Sequence, residues 1–534
     1  MRRVAIALLA AGVFAAGIHW GTFAVGGSDS YCYVHQAEGW ASGTLQVAEP
    51  LALEAPWPDA PRTFAPAGHI PSPTLRGAHV PICPAGLSIF MAPVLRGGTA
   101  VGWSSAVFLV VPLFGALLVC ATYVLGSRFS PGVGVASAVL VACSPAFLFQ
   151  LVQPMSDVPA AALWVLAVAC ATSRSRRAPL IAGLATSAAI LVRPNLLPLG
   201  VILGWWFVLD SDSGDGSTHD SDLGDGSTHD SDSGDGSTQG VESGREGGLT
   251  PMAVFASASA VGCVAVALIQ QKFYGSPFSS GYGALSGLFA TEHIVPNAMR
   301  YAAWLWQSHT PVWLLALGAP FLIPSRLTAL LFALIIANVV CYLPYVVFND
   351  WWYLRFLLPG IAMLIVLTVA SIDAIVRTKR IRAAVTTAAT IAICLLFIRE
   401  VRARNVLDLQ RLERRYERAG IYVAAQLPPN AIVITSWESG SVRFYGHRKT
   451  LVWDALDAAW LDRALAYLRM RGYEPYLLFE GWEEPIFRQR FSASTMAKLD
   501  WPPAAEIAGQ VRIYRPDDRE RYLRGDAAPT EYAR

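Results

Sequence analysis

The sequence predicts a helical membrane domain followed by a soluble α/β domain. Hydrophobic residues make up 54% of the 534 residues and charged residues only 15%, and the mean hydropathy is +0.41. These values exclude an ordinary soluble globular protein. Apolar runs that approach the roughly 20 residues needed to cross a bilayer recur up to residue 400, and charged residues become frequent after it. We therefore predict an all-α polytopic domain over 1–400 and an extracytoplasmic α/β domain over 401–534.

The apolar runs predict about eleven transmembrane helices, although the pair within 178–209 also fits one re-entrant segment. They lie near residues 4–25, 99–126, 132–151, 157–172, 178–192, 196–209, 251–270, 310–323, 327–348, 356–375 and 383–399. The first run follows Arg2 and Arg3 as the core of a signal peptide would. It is longer than the about 7–15 apolar residues of such a core, so we predict an uncleaved anchor.

Three basic clusters define the predicted orientation. Arg2 and Arg3 precede the first predicted helix, and the stretches 173–177 and 377–382 lie in loops predicted on the same side. Short basic loops stay in the cytoplasm. The N-terminus is therefore predicted to be cytoplasmic, and the first outer loop (26–98) and the C-terminal domain to face outward. Richness in Ala, Arg and Gly is typical of a high-GC bacterium, which favours the bacterial inner membrane.

A repeat with a ten-residue period separates two of the predicted helices. It begins DSDSGDGSTH at Asp210 and has no apolar face to bury, so we predict that 210–249 is a disordered acidic linker on the cytoplasmic side. A calcium loop is the alternative. The repeat has one residue too many and lacks the closing glutamate of the EF-hand pattern.

Alternating apolar segments predict the α/β character of the C-terminal domain. The predicted strands lie at 431–435, 450–453, 476–479 and 511–514, and the predicted helices at 458–471 and 483–491. Strands that alternate with helices indicate a small α/β fold.

Two of the eight cysteines, Cys32 and Cys83, lie in the first outer loop. A disulfide between them is compatible with an extracytoplasmic location. Because spacing alone does not define disulfide geometry, the pairing stays open. The other six cysteines lie in predicted helices and are interpreted as packing residues.

Polar residues at the outer ends of the predicted helices are the candidates for chemistry. Asp29 follows the first helix, and an ionisable residue at a membrane edge indicates a functional site. Asp157, in a Ser-Asp-x-Pro sequence, has an alternative role as a helix N-cap. The alternative role for Arg193 is to reach the membrane interface with its charged group, without a part in the chemistry. The segment DWWYLRFLLP at 350–359 places a charge near each end of an aromatic cluster. The alternative interpretation of these aromatic residues is a belt at the membrane interface.

The order and sidedness of these features resemble the GT-C glycosyltransferases. The resemblance rests on four features: Asp29 in the first outer loop, the Ser-Asp-x-Pro at 156–159, Arg193 and the Trp-Trp-Tyr-x-Arg-Phe-x-x-Pro at 351–359. The family consists of multi-span enzymes that take sugars from polyprenyl-phosphate carriers, among them protein O-mannosyltransferases and the aminoarabinose transferase of lipid A. Many relatives have a second carboxylate beside the loop aspartate, whereas this chain has Ser30 there.

The resemblance implies a role for each candidate. Asp29 is the expected general base that deprotonates the acceptor hydroxyl, worth about 10²–10⁴ in rate, and Asp157 is a second carboxylate that orients acceptor or sugar. Arginine suits the leaving lipid phosphate because its planar fork binds two oxygens. The substrate-binding candidates are Tyr31, Arg193, Tyr282, Asp350, Trp351 and Arg355.

The resemblance predicts transfer of a sugar from a polyprenyl-phosphate donor to a lipid, polysaccharide or protein acceptor outside the cytoplasm, with inversion at the anomeric carbon. No nucleic-acid partner is predicted. A transporter or flippase of lipid-linked glycans is the alternative, and an envelope scaffold is a third. A divalent metal ion stays open, because no spacing of the outward-facing His69, His79 and His293 matches a known ligand pattern.

Overall fold

The computed structural model describes residues 1–211, 246–526 and 529–533. The predicted linker at 210–249 lies outside the described residues except at its two ends. There the helices Leu197–Ser211 and Glu246–Tyr274 extend into it.

The N-terminal part of the chain is helical. Its α-helices of ten or more residues are Arg2–His19, Asp29–Ser42, Ala85–Ala100, Val110–Gly126, Pro131–Cys143, Asp157–Ala171, Ala178–Val192, Leu197–Ser211, Glu246–Tyr274, Ile294–His309, Arg326–Tyr342, Leu358–Ile375 and Lys379–Ala403. The last of these extends three residues past residue 400.

Five helical segments among the described residues are long and apolar enough to cross a membrane, or six if one bent pair counts as a single span. They are Arg2–His19, Ser104–Gly126, Thr250–Tyr274, Trp351–Ile375 and Lys379–Ala403. Five further apolar helices have only 10–17 residues. The structure therefore supports a polytopic helical domain without establishing the predicted number of spans.

The predicted span 132–151 is two helices that meet at an angle of 59°. The two helices are Pro131–Cys143 and Pro145–Leu151, and Ser144 is the single residue between them. Pro145 has no N–H to continue the helical hydrogen bonds, and it disfavours helical geometry at the preceding residue. The Ser144 hydroxyl then caps the second helix by accepting from the Phe147 N–H at 3.4 Å.

Two helices form the centre of the membrane domain. Residues 358–371 are all buried, and so are most of Asp157–Ala171. The turn before Leu358 is braced by Asn338, whose amide nitrogen donates to the Phe356 carbonyl (3.2 Å) while its oxygen accepts from the Gly360 N–H (2.9 Å). This bracing fixes the 3₁₀ turn Trp351–Leu357.

The first outer loop is an ordered structure. It contains the helix Asp29–Ser42 and an antiparallel sheet of β1 (Val47–Ala48), β2 (His69–Pro71) and β3 (Ala78–Pro81), in the order β1-β3-β2. A disulfide joins Cys32 in the helix to Cys83 just after β3, with the two Cα atoms 6.2 Å apart. The loop is therefore closed covalently near both of its ends.

The C-terminal region is an α/β domain with one six-stranded sheet, as the alternating segments predicted. Its strands, in chain order β4 to β9, are Ala431–Thr435, Lys449–Val452, Glu474–Glu480, Ala505–Ile507, Val511–Tyr514 and Glu531–Ala533. The order is β5-β4-β6-β8-β7-β9, and β5, β4 and β6 are parallel. The main helices are Leu409–Gln426, Leu461–Met470 and Glu483–Arg490.

The outer loop and the C-terminal domain share a hydrophobic core. Trp57 and Phe64 of the loop belong to the same buried cluster as Leu451 and Phe479 of the sheet. Arg443 adds a hydrogen bond to the Phe64 carbonyl at 2.8 Å. The C-terminal domain is therefore packed directly over the loop that carries Asp29.

Candidate active site

Two arginine–carboxylate pairs form the candidate site. Arg193 donates to Asp157 with an Nη2–Oδ1 distance of 2.5 Å, and Arg355 donates to Asp29 with an Nη2–Oδ2 distance of 3.1 Å. Asp29 and Asp157 are each the first residue of a helix, while Arg193 directly follows Val192 at the end of another. Arg355 lies in the 3₁₀ turn before Leu358.

A shared aromatic ring connects the two pairs. The Arg193 guanidinium lies 5.4 Å from the centroid of the Phe356 ring, and the Arg355 guanidinium lies 5.2 Å from it. Tyr342 stacks on the same ring at 4.9 Å and accepts a hydrogen bond from Arg193 at 2.9 Å. Two cations and two carboxylates therefore occupy one small region.

Ser156 connects the first helix of the outer loop to this region. Its hydroxyl accepts from Tyr33 Oη at 2.8 Å and from Arg193 Nε at 3.3 Å. Neither Ser156 nor Asp157 caps the helix N-terminus with its side chain; Ser156 is the N-cap residue but makes no such bond. The capping alternative for Asp157 is therefore not realised, and its carboxylate is committed to Arg193.

The two carboxylates differ in exposure. The Asp157 side chain is 0% exposed, whereas that of Asp29 is 37% exposed. Both arginines are largely buried, which also removes the interfacial alternative for Arg193. Asp29 is thus the carboxylate of the two that a bound molecule can reach.

Tyr282 lies beside the pairs on a loop that packs against the first outer loop. The loop is anchored by Tyr274, whose hydroxyl donates to the Pro81 carbonyl at 2.8 Å. Gly281 is required there because a Cβ would lie 2.4 Å from Ile82 Cα. Tyr282 is 41% exposed as a residue. Burial, followed by the neighbouring Tyr33 and Asp29, raises the pKa of Tyr282 well above its usual value.

The structure does not bring the other candidates into this group. Tyr31 is buried, stacks on His35 at 5.0 Å and packs against Gly440 of the C-terminal domain. Trp351 contacts Phe149 and Arg404. Asp350 is exposed at the start of the 3₁₀ turn.

Sequence reasoning missed Tyr33, Ser156, Tyr342 and Phe356 as members of the site. Ser156 and Phe356 lie inside the motifs at 156–159 and 351–359, so their positions in these motifs could have identified them. Tyr342 lies in an apolar helix, where nothing in its sequence neighbourhood separates it from a packing residue.

The histidines lie apart from the ion pairs. His35 Nδ1 is 3.0 Å from His69 Nε2, and the His69 and His79 ring centroids are 5.1 Å apart. Burial, followed by the Arg443 charge, lowers the pKa of His35 to about 4. In the part of the chain that the structure describes, no group of three or more His, Cys, Asp or Glu side chains is arranged to hold a metal ion.

Comparison with known proteins gives matches in fold only. No family model and no curated protein sequence matches the chain. ArnT from Cupriavidus metallidurans in the apo state is similar, with a TM-score of 0.55 and 12% identity, covering 98% of each chain. The oligosaccharyltransferase of Archaeoglobus fulgidus in the apo form gives a TM-score of 0.53 and 12% identity, covering 94% of this chain and 72% of that chain.

Two further matches are complexes with lipid phosphates. One is ArnT from Cupriavidus metallidurans bound to undecaprenyl phosphate, with a TM-score of 0.53, 12% identity and 98% of each chain covered. The other is AglB from Archaeoglobus fulgidus with an inhibitory peptide and a dolichol-phosphate, with a TM-score of 0.51, 12% identity, and 89% of this chain and 69% of that chain covered. These similarities show that the chain has the fold shared by these structures, that of the GT-C glycosyltransferases. The apolar helices support an integral membrane protein.

Proposed function

We propose that the protein transfers a sugar from a polyprenyl-phosphate-linked donor to an acceptor outside the cytoplasm. The observation that carries the proposal is the pair of arginines around Phe356, one of them bonded to a carboxylate that a substrate can reach. Structures with this fold bind undecaprenyl phosphate and dolichol-phosphate, which supports a lipid-phosphate donor.

Arg355 and Arg193 bind the donor phosphate in this proposal. Their guanidinium groups stabilise the negative charge that develops on the phosphate as the glycosidic bond breaks. When the phosphate engages Arg355, it displaces the Asp29 carboxylate from the arginine. Asp29 is then free to accept a proton at the moment when the leaving group is in place.

The reaction is a direct displacement. The acceptor oxygen forms a bond to the anomeric carbon, and its proton passes to Asp29. The bond from the anomeric carbon to the phosphate oxygen breaks, and the lipid phosphate leaves with the electron pair. One displacement inverts the configuration of the anomeric carbon, and Asp29 acts as a general base.

Asp157 acts through Arg193. Its side chain is fully buried and bonded to Arg193, so we propose that it positions that guanidinium. This role differs from the one predicted from the sequence, in which Asp157 orients the acceptor or the sugar. Tyr282 is proposed as an aromatic contact for the sugar, because it lies beside Asp29. Tyr31, Asp350 and Trp351 are assigned to the surrounding structure.

The proposal includes the orientation predicted from the basic clusters: cytoplasmic N-terminus, with the site and the C-terminal domain outside, in a bacterial inner membrane. The five shorter apolar helices are proposed to cross the membrane with the longer ones. The acceptor class is a lipid, a polysaccharide or a protein.

Release of free polyprenyl phosphate from labelled undecaprenyl-phosphate-mannose and undecaprenyl-phosphate-arabinofuranose tests the function. The purified protein is reconstituted in vesicles with a mixed glycan acceptor extract. Time-dependent release, with label appearing in the acceptor, supports a transferase. Donor movement across the vesicle membrane without release would contradict it and indicate a transporter.

A further inference from the structure

A cavity of about 570 Å³ lies in the C-terminal domain where three neighbouring parallel strands end. Each of β5, β4 and β6 is followed within two residues by a tryptophan, namely Trp453, Trp437 and Trp482. All three line the cavity. Ligands of open α/β sheets bind at the carboxyl ends of the strands, so the cavity has the position of a binding site.

The tryptophans form a floor and an exposed corner. Trp453 is buried, and its ring meets Phe487 edge-on at 5.6 Å, which makes it the floor. Trp437 and Trp482 are 40% and 50% exposed, with ring centroids 6.0 Å apart and planes inclined at 62°. The Trp482 indole N–H donates to Glu480 at 3.0 Å, which fixes the ring.

Polar groups of both signs complete the lining. Glu483 is held by the backbone N–H groups of Trp437 (3.3 Å) and Glu480 (2.9 Å). Arg490 is held by the Leu456 carbonyl at 2.7 Å. Asp454 and Gln489 also line the cavity. Two carboxylates against one guanidinium disfavour a phosphate or another anion as the ligand.

A sugar matches this combination of surfaces. The C–H groups on one face of a sugar ring carry partial positive charge and fit the negative face of an indole. The hydroxyl groups both donate and accept, so they pair with carboxylates, an amide and a guanidinium. A pocket with aromatic walls and a few fixed polar groups is the usual form of a small-ligand site.

The cavity adjoins the segment that carries the proposed base. The Trp437 ring packs against Gly27, two residues before Asp29; a Cβ on Gly27 would lie 3.7 Å from it. Gly26 has no room for a side chain, because the Tyr416 ring of the C-terminal domain lies against it. We propose that the cavity binds a neutral glycan chain and holds it as the acceptor near Asp29. The acceptor role rests on the transfer reaction proposed above, whereas glycan binding does not.

Isothermal titration of the purified full-length protein with α-mannotetraose and an arabinofuranose tetrasaccharide tests the proposal. Trp482→Ala and Trp437→Ala remove the exposed rings. Trp103→Ala is the matched control, because Trp103 is 52% exposed and outside the C-terminal domain. We expect saturable binding of at least one tetrasaccharide to the wild type and the control, and about tenfold weaker binding to each cavity variant.

A further variant distinguishes loss of binding from loss of folding. Trp482→Phe keeps an aromatic face and is expected to recover part of the affinity, and thermal unfolding shows whether each variant is folded. Absence of saturable binding to the folded wild type, or equal binding by wild type and Trp482→Ala, would overturn the proposal, as would binding of neutral peptides alone. Glycan binding without sugar transfer would support the binding site and contradict the proposed transferase. Sugar transfer without glycan binding would support the transferase and contradict the binding site.

Discussion

Asp29 and Asp157 are both paired with arginine, and their different exposure separates their roles. A carboxylate that is enclosed and bonded to a buried guanidinium cannot move to a substrate, while a partly exposed one exchanges partners at low cost. In the proposed reaction, a lipid phosphate competes with Asp29 for Arg355, and the displaced Asp29 carboxylate becomes available as the base.

The two pairs are expected to differ in their contribution to stability. Asp157→Asn leaves the buried Arg193 charge without its counterion, and breaking a buried pair costs about 3–5 kcal/mol. Asp29→Asn breaks a partly exposed pair, worth roughly 0–1 kcal/mol. Thermal unfolding in detergent micelles should therefore show a clear loss of stability for Asp157→Asn and little change for Asp29→Asn. Equal losses would contradict the assignment of Asp157 as a positioning residue.

Arg355 is expected to bind the lipid phosphate directly. Hydrogen bonds to charged groups contribute about 1.5–3 kcal/mol, so Arg355→Gln should raise the dissociation constant for undecaprenyl phosphate by about 10- to 100-fold. Binding of the radiolabelled lipid to purified protein measures this. Arg62→Gln, which changes an exposed arginine between the first two long helices and Ala85–Ala100, serves as the control, and an equal effect of both substitutions would argue for non-specific charge.

At the scale of elements, the helix Asp29–Ser42 places the proposed base, and the disulfide holds this helix. Cys32 lies one helical turn after Asp29 and is tied to Cys83, 51 residues later. Removal of a disulfide from a loop of this length typically costs about 2–5 kcal/mol.

We expect Cys32→Ser with Cys83→Ser to lower both transfer activity and thermal stability. A maleimide reagent applied to the unfolded protein should label Cys32 and Cys83 only after reduction, as read by peptide mass spectrometry. Labelling of both without reduction would show that the bond is absent.

Part of the element structure could be predicted from the sequence. Short apolar runs identified β4 and β8 at their observed bounds, because a strand buried in a sheet leaves a local pattern. The helix Asp29–Ser42 was not predicted, since its stability depends on packing against Ala85–Ala100 and on the disulfide. The bend at Ser144 was missed although Pro145 signals it, because the apolar run continues through it.

Four residues of the candidate site could be named from the sequence, but the pairing between them could not. Sidedness and the recognised motifs gave Asp29, Asp157, Arg193 and Arg355. Which carboxylate pairs with which arginine depends on contacts between residues as far apart as Asp29 and Arg355, 326 positions along the chain. No local pattern encodes such a contact, and the same holds for Phe356 as the ring between the two arginines.

At the scale of the whole molecule, a buried carboxyl group of the C-terminal domain is expected to make stability depend on pH. Glu438 is fully buried, and burial raises its pKa to about 8. In the unfolded chain this carboxyl ionises near pH 4.5. Its contribution to stability is therefore fully present below about pH 4.5 and is lost as the pH rises to about 8.

Glu438→Gln is expected to reduce this pH dependence. The wild type should lose stability between about pH 5 and pH 8, by an amount on the order of a few kcal/mol, and the variant should lose less. Thermal unfolding across this range measures the difference. Parallel curves for the two proteins would show that Glu438 is not the titrating group.

The proposed sugar transfer depends on one carboxylate, Asp29. The most direct measurement is the initial rate of polyprenyl phosphate release by Asp29→Asn compared with wild type, with Asp59→Asn, an exposed carboxylate of the same loop, as the control. A general base contributes about 10²–10⁴ in rate, so we predict a loss of at least about 100-fold for Asp29→Asn and an unchanged rate for Asp59→Asn. Wild-type rates in the folded Asp29→Asn protein would contradict the proposed mechanism.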